Sequence, residues 1–189
     1  MTITLRDYTK TDFEPMVNAF DARIAWLTSK GHTGQWGSEP LAEERVVEMR
    51  ALMAPEHAAA GVRGWVAEDS ENGTSAGWLV VTPMRSEYVP GPTEDQEEDK
   101  PGKECWLKLL LVNPEFGGRK VGDLLLEQAA KYAREDGAVW LRLDCWRGPE
   151  GQDGLVRYYE SKGFTKVRPF VAPGRREKEW AGQLLEMKI

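Results

Sequence analysis

The stretch CWLKLLLVNPEFGGRKVGDLL, residues 105–125, decides the fold of this 189-residue chain. Residues 105–112 are nearly all apolar, as expected of a strand that is buried on both faces. Asn113 and Pro114 end that strand, because proline has no N–H to donate to a sheet. A glycine-rich turn follows, and from Val121 onward apolar residues recur at helical spacing. The stretch therefore predicts a buried strand, a tight turn and an amphipathic helix in direct succession.

The turn between this strand and helix has the features of an anion-binding site. The first amides of a helix have no partner within it, and the N-terminus carries a partial positive charge. Three glycines, Gly117, Gly118 and Gly122, let the backbone approach an anion closely. Arg119 and Lys120 add positive charge. The sequence fits neither a Walker loop nor a dinucleotide fingerprint. It predicts a phosphate-binding turn, or else a turn whose glycines serve packing alone.

The rest of the chain supplies the other elements of one α/β (α+β) domain over residues 1–189. Apolar periodicity predicts, in order, a strand, two helices, three strands, a helix, a strand, a helix and two strands. Thr11-Asp-Phe-Glu14 fits a capping box at the start of the first helix. We expect one mixed sheet with helices on both faces. No repeat or second-domain linker interrupts this order.

A second informative segment is LVRYYESKGF, residues 155–164. Its pattern predicts a short helix that ends at Gly163. Tyr158 and Tyr159 lie about 100° apart around such a helix, so they face different neighbours. From spacing alone, Tyr159 is either a core aromatic residue with a satisfied hydroxyl or a side chain that takes part in chemistry.

Composition excludes several classes of protein. Lys and Arg number 25 against 31 Asp and Glu, for a net charge of −6, and an acidic chain is a poor nucleic-acid binder. No apolar run approaches the roughly 20 residues that cross a bilayer, and no signal peptide is visible. We therefore expect a cytoplasmic protein without a membrane partner. Cys105 and Cys145 lack metal-ligand spacing and His32 and His57 lie far apart, so no metal site is predicted.

Two further features are ambiguous in the sequence. The acidic, proline-rich segment between Pro90 and Gly102 is either a solvated hairpin tip or a flap that attracts a cationic substrate. Trp26, Trp36 and Trp146 would suit a pocket for a cationic or ring-bearing amine. Aromatic packing beneath a loop is the alternative explanation for them.

The buried strand, the Asn-Pro break, the turn GGRKVGDLL and the segment YYESKGF together resemble the GCN5-related N-acetyltransferases, the GNAT superfamily. The resemblance covers most of the chain and is most specific from Leu107 to Phe164. It implies the GNAT fold, with a mostly antiparallel sheet, and acetyl-CoA as cofactor. In the family's Arg/Gln-x-x-Gly-x-Gly/Ala pattern, Gly122 matches the last glycine and Lys120 stands in place of the first. The resemblance implies cofactor contacts from Leu110, Leu111, Val112, Gly117, Gly118, Arg119, Lys120, Val121, Gly122, Asp123 and Gln152.

The resemblance also implies catalytic roles. Tyr159, four residues before the Gly-Phe pair, corresponds to the general acid that protonates the leaving CoA thiolate. Some family members carry a glutamate in the strand before the cofactor, where this chain has Trp106. Two carboxylates remain as candidates for the group that accepts the amine proton, Glu104 on the same strand and Asp144 on the next. Each is equally well explained as a paired structural carboxylate.

The expected function is transfer of an acetyl group from acetyl-CoA to an amine by direct attack in a ternary complex. A small-molecule amine is the leading acceptor, and a protein or peptide N-terminus is the second. A GNAT-fold module that binds acyl-CoA without turnover is the alternative from another class. The family often forms dimers, so a homodimer is compatible with the resemblance, although nothing in the sequence fixes one.

Overall fold

The computed structural model describes residues 2–54, 58, 60–90, 102–149, 152–172 and 179–189. Within these residues the helices are α1 Phe13–Ser29, α2 Glu43–Leu52, α3 Val121–Glu135 and α4 Gly154–Ser161. The strands are β1 Ile3–Asp7, β2 Arg63–Asp69, β3 Ser75–Thr82, β4 Glu104–Val112, β5 Trp140–Trp146, β6 Thr165–Ala172 and β7 Trp180–Lys188. The predicted order of strands and helices is confirmed. Most of the acidic segment, residues 91–101, and His57 lie outside the described residues.

The seven strands form one sheet in the order β1-β2-β3-β4-β5-β7-β6. The pairs β1–β2, β2–β3, β5–β7 and β6–β7 are antiparallel. The predicted α/β class with a mixed, mostly antiparallel sheet is therefore confirmed. No helix in the described part of the chain has both the length and the apolar composition to span a membrane.

The chain divides into two compact units, of which the first comprises Met1–Pro83 and Leu107–Ala129. Its core joins the apolar stripe of α1 to side chains of β2, β3 and β4. Ile24, Trp78 and Leu111 are at most 2% exposed. Complete burial of one aliphatic side chain of this size stabilises the fold by about 1.5–3 kcal/mol. The apolar residues of the amphipathic pattern therefore account for the core of this unit.

The entry into α1 differs from the sequence prediction. The capping box is formed by Thr9 and Asp12, two residues earlier than Thr11 and Glu14. The Asp12 carboxylate accepts hydrogen bonds from the amide and hydroxyl of Thr9 at 2.7 and 2.8 Å. Asp12 also pairs with Arg6 of β1 at 2.7 Å. This ion pair, which no local pattern reveals, favours the earlier of two overlapping capping sequences.

Gly77 brings β3, β4 and α3 into close contact. A Cβ atom at Gly77 would lie 2.8 Å from the carbonyl oxygen of Leu111 and 3.0 Å from side-chain atoms of Val121 and Leu125. Val121 and Leu125 are themselves buried, at 2% and 0% exposure. The absence of a side chain at Gly77 therefore lets the first turn of α3 sit directly against the end of β4.

The second unit comprises Met84–Trp106 and Ala130–Ile189. Its sheet has two chemically different faces because side chains alternate along each strand. One face packs against α4, as shown by the ion pair between Glu160 of α4 and Lys166 of β6 at 3.0 Å. The opposite face carries Asp144 of β5, whose partner in the strand register is Leu184 of β7.

Candidate active site

Asn113 fixes the start of the turn after β4. Its backbone amide donates to the carbonyl of Ala76 at 2.9 Å, and its side-chain amide donates to the carbonyl of Ser75 at 3.3 Å. Its Oδ1 accepts from the amide of Glu115 at 3.1 Å and so caps the 3-10 turn Pro114–Phe116. Pro114 suits the first position of this turn because its φ is already close to the helical value. The turn is thereby attached to β3.

The next residues turn the chain by left-handed backbone conformations. Gly118 has φ 76° and Lys120 has φ 59°. Lys120 is the one non-glycine residue with positive φ in the described part of the chain. A side chain in this conformation costs about 1–2 kcal/mol, a cost that glycine avoids. Lys120 therefore adopts a conformation that glycine, the residue of the family pattern at this position, takes without strain.

The amides of this turn form a group of hydrogen-bond donors. The first backbone hydrogen bond of α3 runs from the amide of Leu124 to the carbonyl of Lys120 at 3.1 Å. Within the described residues, no acceptor is bonded to the amides of Gly118, Lys120, Val121 or Gly122. Four donors at the N-terminus of a helix are an arrangement that binds phosphate.

The other residues of the turn have more ordinary environments. Gly117 has φ −55°, and a Cβ there would lie 3.2 Å from the Pro114 carbonyl oxygen. The Arg119 guanidinium lies 5.4 Å from the centre of the Phe116 ring. Asp123 lies in the first turn of α3. The donors of this site therefore belong mainly to the backbone.

The end of β4 presents its peptide groups alternately to its two edges. The amide of Asn113 bonds to β3 through Ala76, so Leu111, two residues earlier, faces the same edge. The 2.8 Å approach of its carbonyl to the Gly77 position agrees with this. Leu110 and Val112 consequently direct their peptide groups to the other edge of β4.

Tyr159 lies on the buried face of α4 and is 6% exposed. Its ring packs against Tyr158 and Phe164, with centroid distances of 5.2 and 5.7 Å. Burial is the main cause that raises the pKa of Tyr159, and electrostatic interactions with Cys145, Tyr158 and Asp144 raise it further. Within the described residues its hydroxyl forms no hydrogen bond. Tyr159 is therefore a fully protonated phenol at neutral pH.

Asp144 is half-buried on the face of β5 opposite to the Cys145 side chain. Its Oδ2 accepts a hydrogen bond from the hydroxyl of Tyr88 at 3.0 Å. Tyr88 is 46% exposed and comes from the segment that follows β3. Sequence reasoning missed Tyr88, because it lies 56 residues away from Asp144 and in no recognisable motif.

Glu104 belongs to a buried network around Arg142. One carboxylate oxygen of Glu104 pairs with the Arg142 guanidinium, and the other accepts from the indole N–H of Trp106 at 2.8 Å. Arg142 also pairs with Glu186 at 3.2 Å, and both of these side chains are less than 5% exposed. Both oxygens of Glu104 thus have structural partners. The sequence signal that was missed is Arg142 itself, because an arginine within a buried strand requires anionic partners.

Gln152 and the cysteines complete the predicted positions in the second unit. Gln152 is exposed, and its backbone N–H donates to the carbonyl of Pro149 at 2.9 Å in the turn between β5 and α4. Burial raises the pKa of Cys105 and of Cys145 to about 12. Both are free thiols. The described residues contain no cluster of histidine, cysteine and carboxylate groups that could hold a metal ion.

Two of the three tryptophans of the expected amine pocket, Trp36 and Trp26, lie in the first unit and have other neighbours. Trp36 packs on Phe20, with ring centroids 4.6 Å apart, at the edge of the core. Trp26 is 44% exposed, and the Arg23 guanidinium lies 5.1 Å from its ring centre. Packing therefore accounts for Trp36, and the face of Trp26 is already covered by a cation.

Comparison with known proteins agrees with this geometry. The model of the acetyltransferase (GNAT) family matches residues 22–164. Solved structures with the same fold include a ribosomal-protein-alanine N-acetyltransferase from Brucella melitensis, with 16% identity, TM-score 0.67 and coverage of 98% of this chain and 99% of that chain. A GCN5-related N-acetyltransferase from Kribbella flavida has 18% identity, TM-score 0.67 and coverage of 99% and 98%.

A third solved relative is a phosphinothricin acetyltransferase from Sinorhizobium meliloti in complex with AcCoA. Its identity is 15% and its TM-score 0.67, with coverage of 100% of this chain and 89% of that chain. No curated protein sequence matches the chain. The likeness to these solved structures shows the fold and nothing more. The family model shows membership of the family, because it matches well over half of the sequence. The chain therefore belongs to the GNAT family of acetyltransferases.

Proposed function

We propose that this protein transfers an acetyl group from acetyl-CoA to the amine of a small molecule. The observation that carries the proposal is the turn after β4. Its left-handed residues Gly118 and Lys120 and its amides without protein acceptors fit a pyrophosphate group. When bound, acetyl-CoA supplies the acetyl group as a reactive thioester.

The cofactor would be held mainly by backbone groups. The amides of Gly118, Lys120, Val121 and Gly122 would bind the pyrophosphate. The pantetheine arm would add along β4, where the peptide groups of Leu110 and Val112 face away from β3. A backbone N–H of this strand would stabilise the negative charge that develops on the acetyl oxygen. The side-chain amide of the exposed Gln152 would bond the pantetheine.

Tyr159 is proposed as the general acid. As the bond between carbon and sulfur breaks, its hydroxyl gives a proton to the sulfur. The raised pKa of Tyr159 keeps the phenol protonated over the whole physiological range. Because its pKa is raised, the buried phenol is a weak acid, so it would give up its proton only as negative charge develops on the sulfur.

Asp144 is proposed as the group that receives the amine proton. An amine must be neutral to attack the thioester, so Asp144 would first accept the ammonium proton, directly or through one water molecule, and pass it to solvent. The proton that the nitrogen loses after attack would balance the one that Tyr159 gives to the sulfur. The partners of the two candidates favour Asp144 over Glu104. Glu104 is held in an ion pair with the buried Arg142, whereas Asp144 is half-buried and accepts from Tyr88, which is itself 46% exposed.

The first experiment measures acetyl-CoA binding by thermal shift and titration. Binding to the folded state alone stabilises a protein by about 2.7 kcal/mol at a hundred times the Kd. The variant Gly122→Leu, which places a side chain among the amides of the turn, is expected to weaken binding at least about tenfold. Glu127→Leu, an exposed position on the same helix, is the matched control and should bind normally.

The outcome decides between the candidate functions. Acetyl-CoA binding together with amine-dependent release of the CoA thiol supports the transferase. Binding without release for any amine supports the non-catalytic module. Equal affinities of wild-type protein and Gly122→Leu would show that the turn is not the phosphate site.

A further inference from the structure

A group of aromatic side chains surrounds Asp144 on the sheet face opposite α4. We call Tyr88, Asp144, Phe170 and Trp180 the Asp144 cluster. Tyr88 donates its hydroxyl proton to Asp144 at 3.0 Å. The Tyr88 and Trp180 rings meet edge to face at a centroid distance of 6.2 Å, and Trp180 and Phe170 are 6.0 Å apart. Four residues from three separate segments thus form one continuous group.

The aromatic side of the cluster is fixed by the backbone of β7. Phe170 lies directly over Gly182, its partner in the strand register. A Cβ at Gly182 would lie 2.7 Å from ring atoms of Phe170, a distance at which something must shift. The glycine therefore lets the Phe170 ring lie flat on the sheet, and this ring in turn supports Trp180.

Beneath the cluster lies a compact apolar floor. Val89, Trp106 and Leu184 are at most 3% exposed and pack together, with Phe170 against them. Above this floor, Tyr88 remains 46% exposed, and Asp144 and Trp180 are partly accessible. The cluster therefore offers solvent a carboxylate beside aromatic rings whose positions are held from below.

We propose that the Asp144 cluster binds an amine that carries an apolar or aromatic body. The ammonium group would pair with the Asp144 carboxylate and lie against the Tyr88 and Trp180 rings, whose faces attract cations. The apolar body would cover the same rings. Tyr88 is then a positioning residue, because its hydroxyl holds Asp144 in place and its ring forms part of the contact. Binding of an amine to the cluster does not depend on the proposed function. Only the identification of that amine as the acetyl acceptor rests on it.

The test uses phenethylamine as probe and 2-phenylethanol as its neutral counterpart, without acetyl-CoA. The indole N–H resonance of Trp180 in ¹⁵N-labelled protein reports binding, and the variant Trp180→Phe identifies that resonance. We expect the amine to bind at least about tenfold more tightly than the alcohol, because only the amine pairs with the carboxylate. Asp144→Asn should remove this preference.

Two further variants separate the ring from the charge. Tyr88→Ala, at an exposed position, should weaken binding of both probes, whereas Tyr88→Phe keeps the ring and should weaken the amine alone, by a few-fold. Tyr158→Phe, on the α4 side of the sheet, should bind both probes as the wild type does. Equal binding of amine and alcohol, or an unchanged preference in Asp144→Asn, would overturn the assignment.

A separate acetyl-CoA titration distinguishes the two proposals. If acetyl-CoA binds and phenethylamine does not, the cluster assignment fails while the proposed function stands. If phenethylamine binds with the expected preference and acetyl-CoA does not bind, the transferase proposal fails while the amine site stands.

Discussion

The turn after β4 and the sheet face around Asp144 present different kinds of polar group. In the turn, the useful groups are backbone amides, and the side chains of Arg119 and Phe116 pack on one another. Around Asp144 and Arg142, every useful group is a side chain held by other side chains. A backbone site depends on conformation and tolerates an unusual residue such as Lys120. A side-chain site depends on the identity of each partner, so single substitutions should affect it more strongly.

The largest effect is expected for Arg142→Met. This change leaves Glu104 and the buried Glu186 without their cationic partner, and breaking a buried ion pair in this way costs about 3–5 kcal/mol. Urea unfolding should show the loss as a lower midpoint. Adding Glu104→Gln and Glu186→Gln should recover most of this loss, because the two carboxylate charges that Arg142 balanced are then gone. A loss below about 1 kcal/mol for Arg142→Met would contradict the side-chain account.

The next effect is on catalysis rather than stability. Tyr159→Phe should lower kcat about 10²–10³-fold, since proton transfer by a positioned acid contributes on that scale. Acetyl-CoA affinity and Tm should hardly change, because the missing hydroxyl has no hydrogen bond within the described residues. Tyr158→Phe is the matched control and should keep kcat.

The pH profile gives a second check on Tyr159. Because burial raises its pKa above the ordinary value of about 10, the acid should not be lost at alkaline pH in the measurable range. Below about pH 10, the kcat of the wild-type enzyme should therefore show no alkaline decline that is due to Tyr159. Any decline seen in the wild type should also be present in the Tyr159→Phe variant. A decline that is absent from this variant would show that Tyr159 is more exposed than the structure has it.

The smallest effect should have the opposite sign. Lys120→Gly removes the strain of a side chain at φ 59° and is expected to raise stability by about 0.5–1 kcal/mol, after the extra freedom of glycine in the unfolded chain is subtracted. Lys131→Gly makes the same change at an exposed position inside α3 and should lower stability by about 1 kcal/mol. Equal signs for the two variants would contradict the left-handed conformation of Lys120.

The same contrast explains what could be predicted from the sequence. The strand, break, turn and helix of residues 105–125 follow from local periodicity, and the order of all strands and helices was predicted correctly. The helix cap was placed at Thr11 rather than Thr9, because TKTD and TDFE overlap and the distant Arg6 decides between them. The bonds from Tyr88 to Asp144 and from Arg142 to its glutamates join residues 38–56 positions apart, and no local pattern records them.

The two cysteines of the protein are too deeply buried to interfere with an assay that measures released CoA thiol. Cys105 and Cys145 are 2% and 5% exposed, and at neutral pH a thiol with a pKa of about 12 contains almost no thiolate. Disulfide reagents that react with thiolates should therefore leave the folded enzyme untouched. Each equivalent of reagent consumed would then correspond to one CoA thiol released. A reaction in the absence of substrate would show that the protein has unfolded and exposed Cys105 and Cys145.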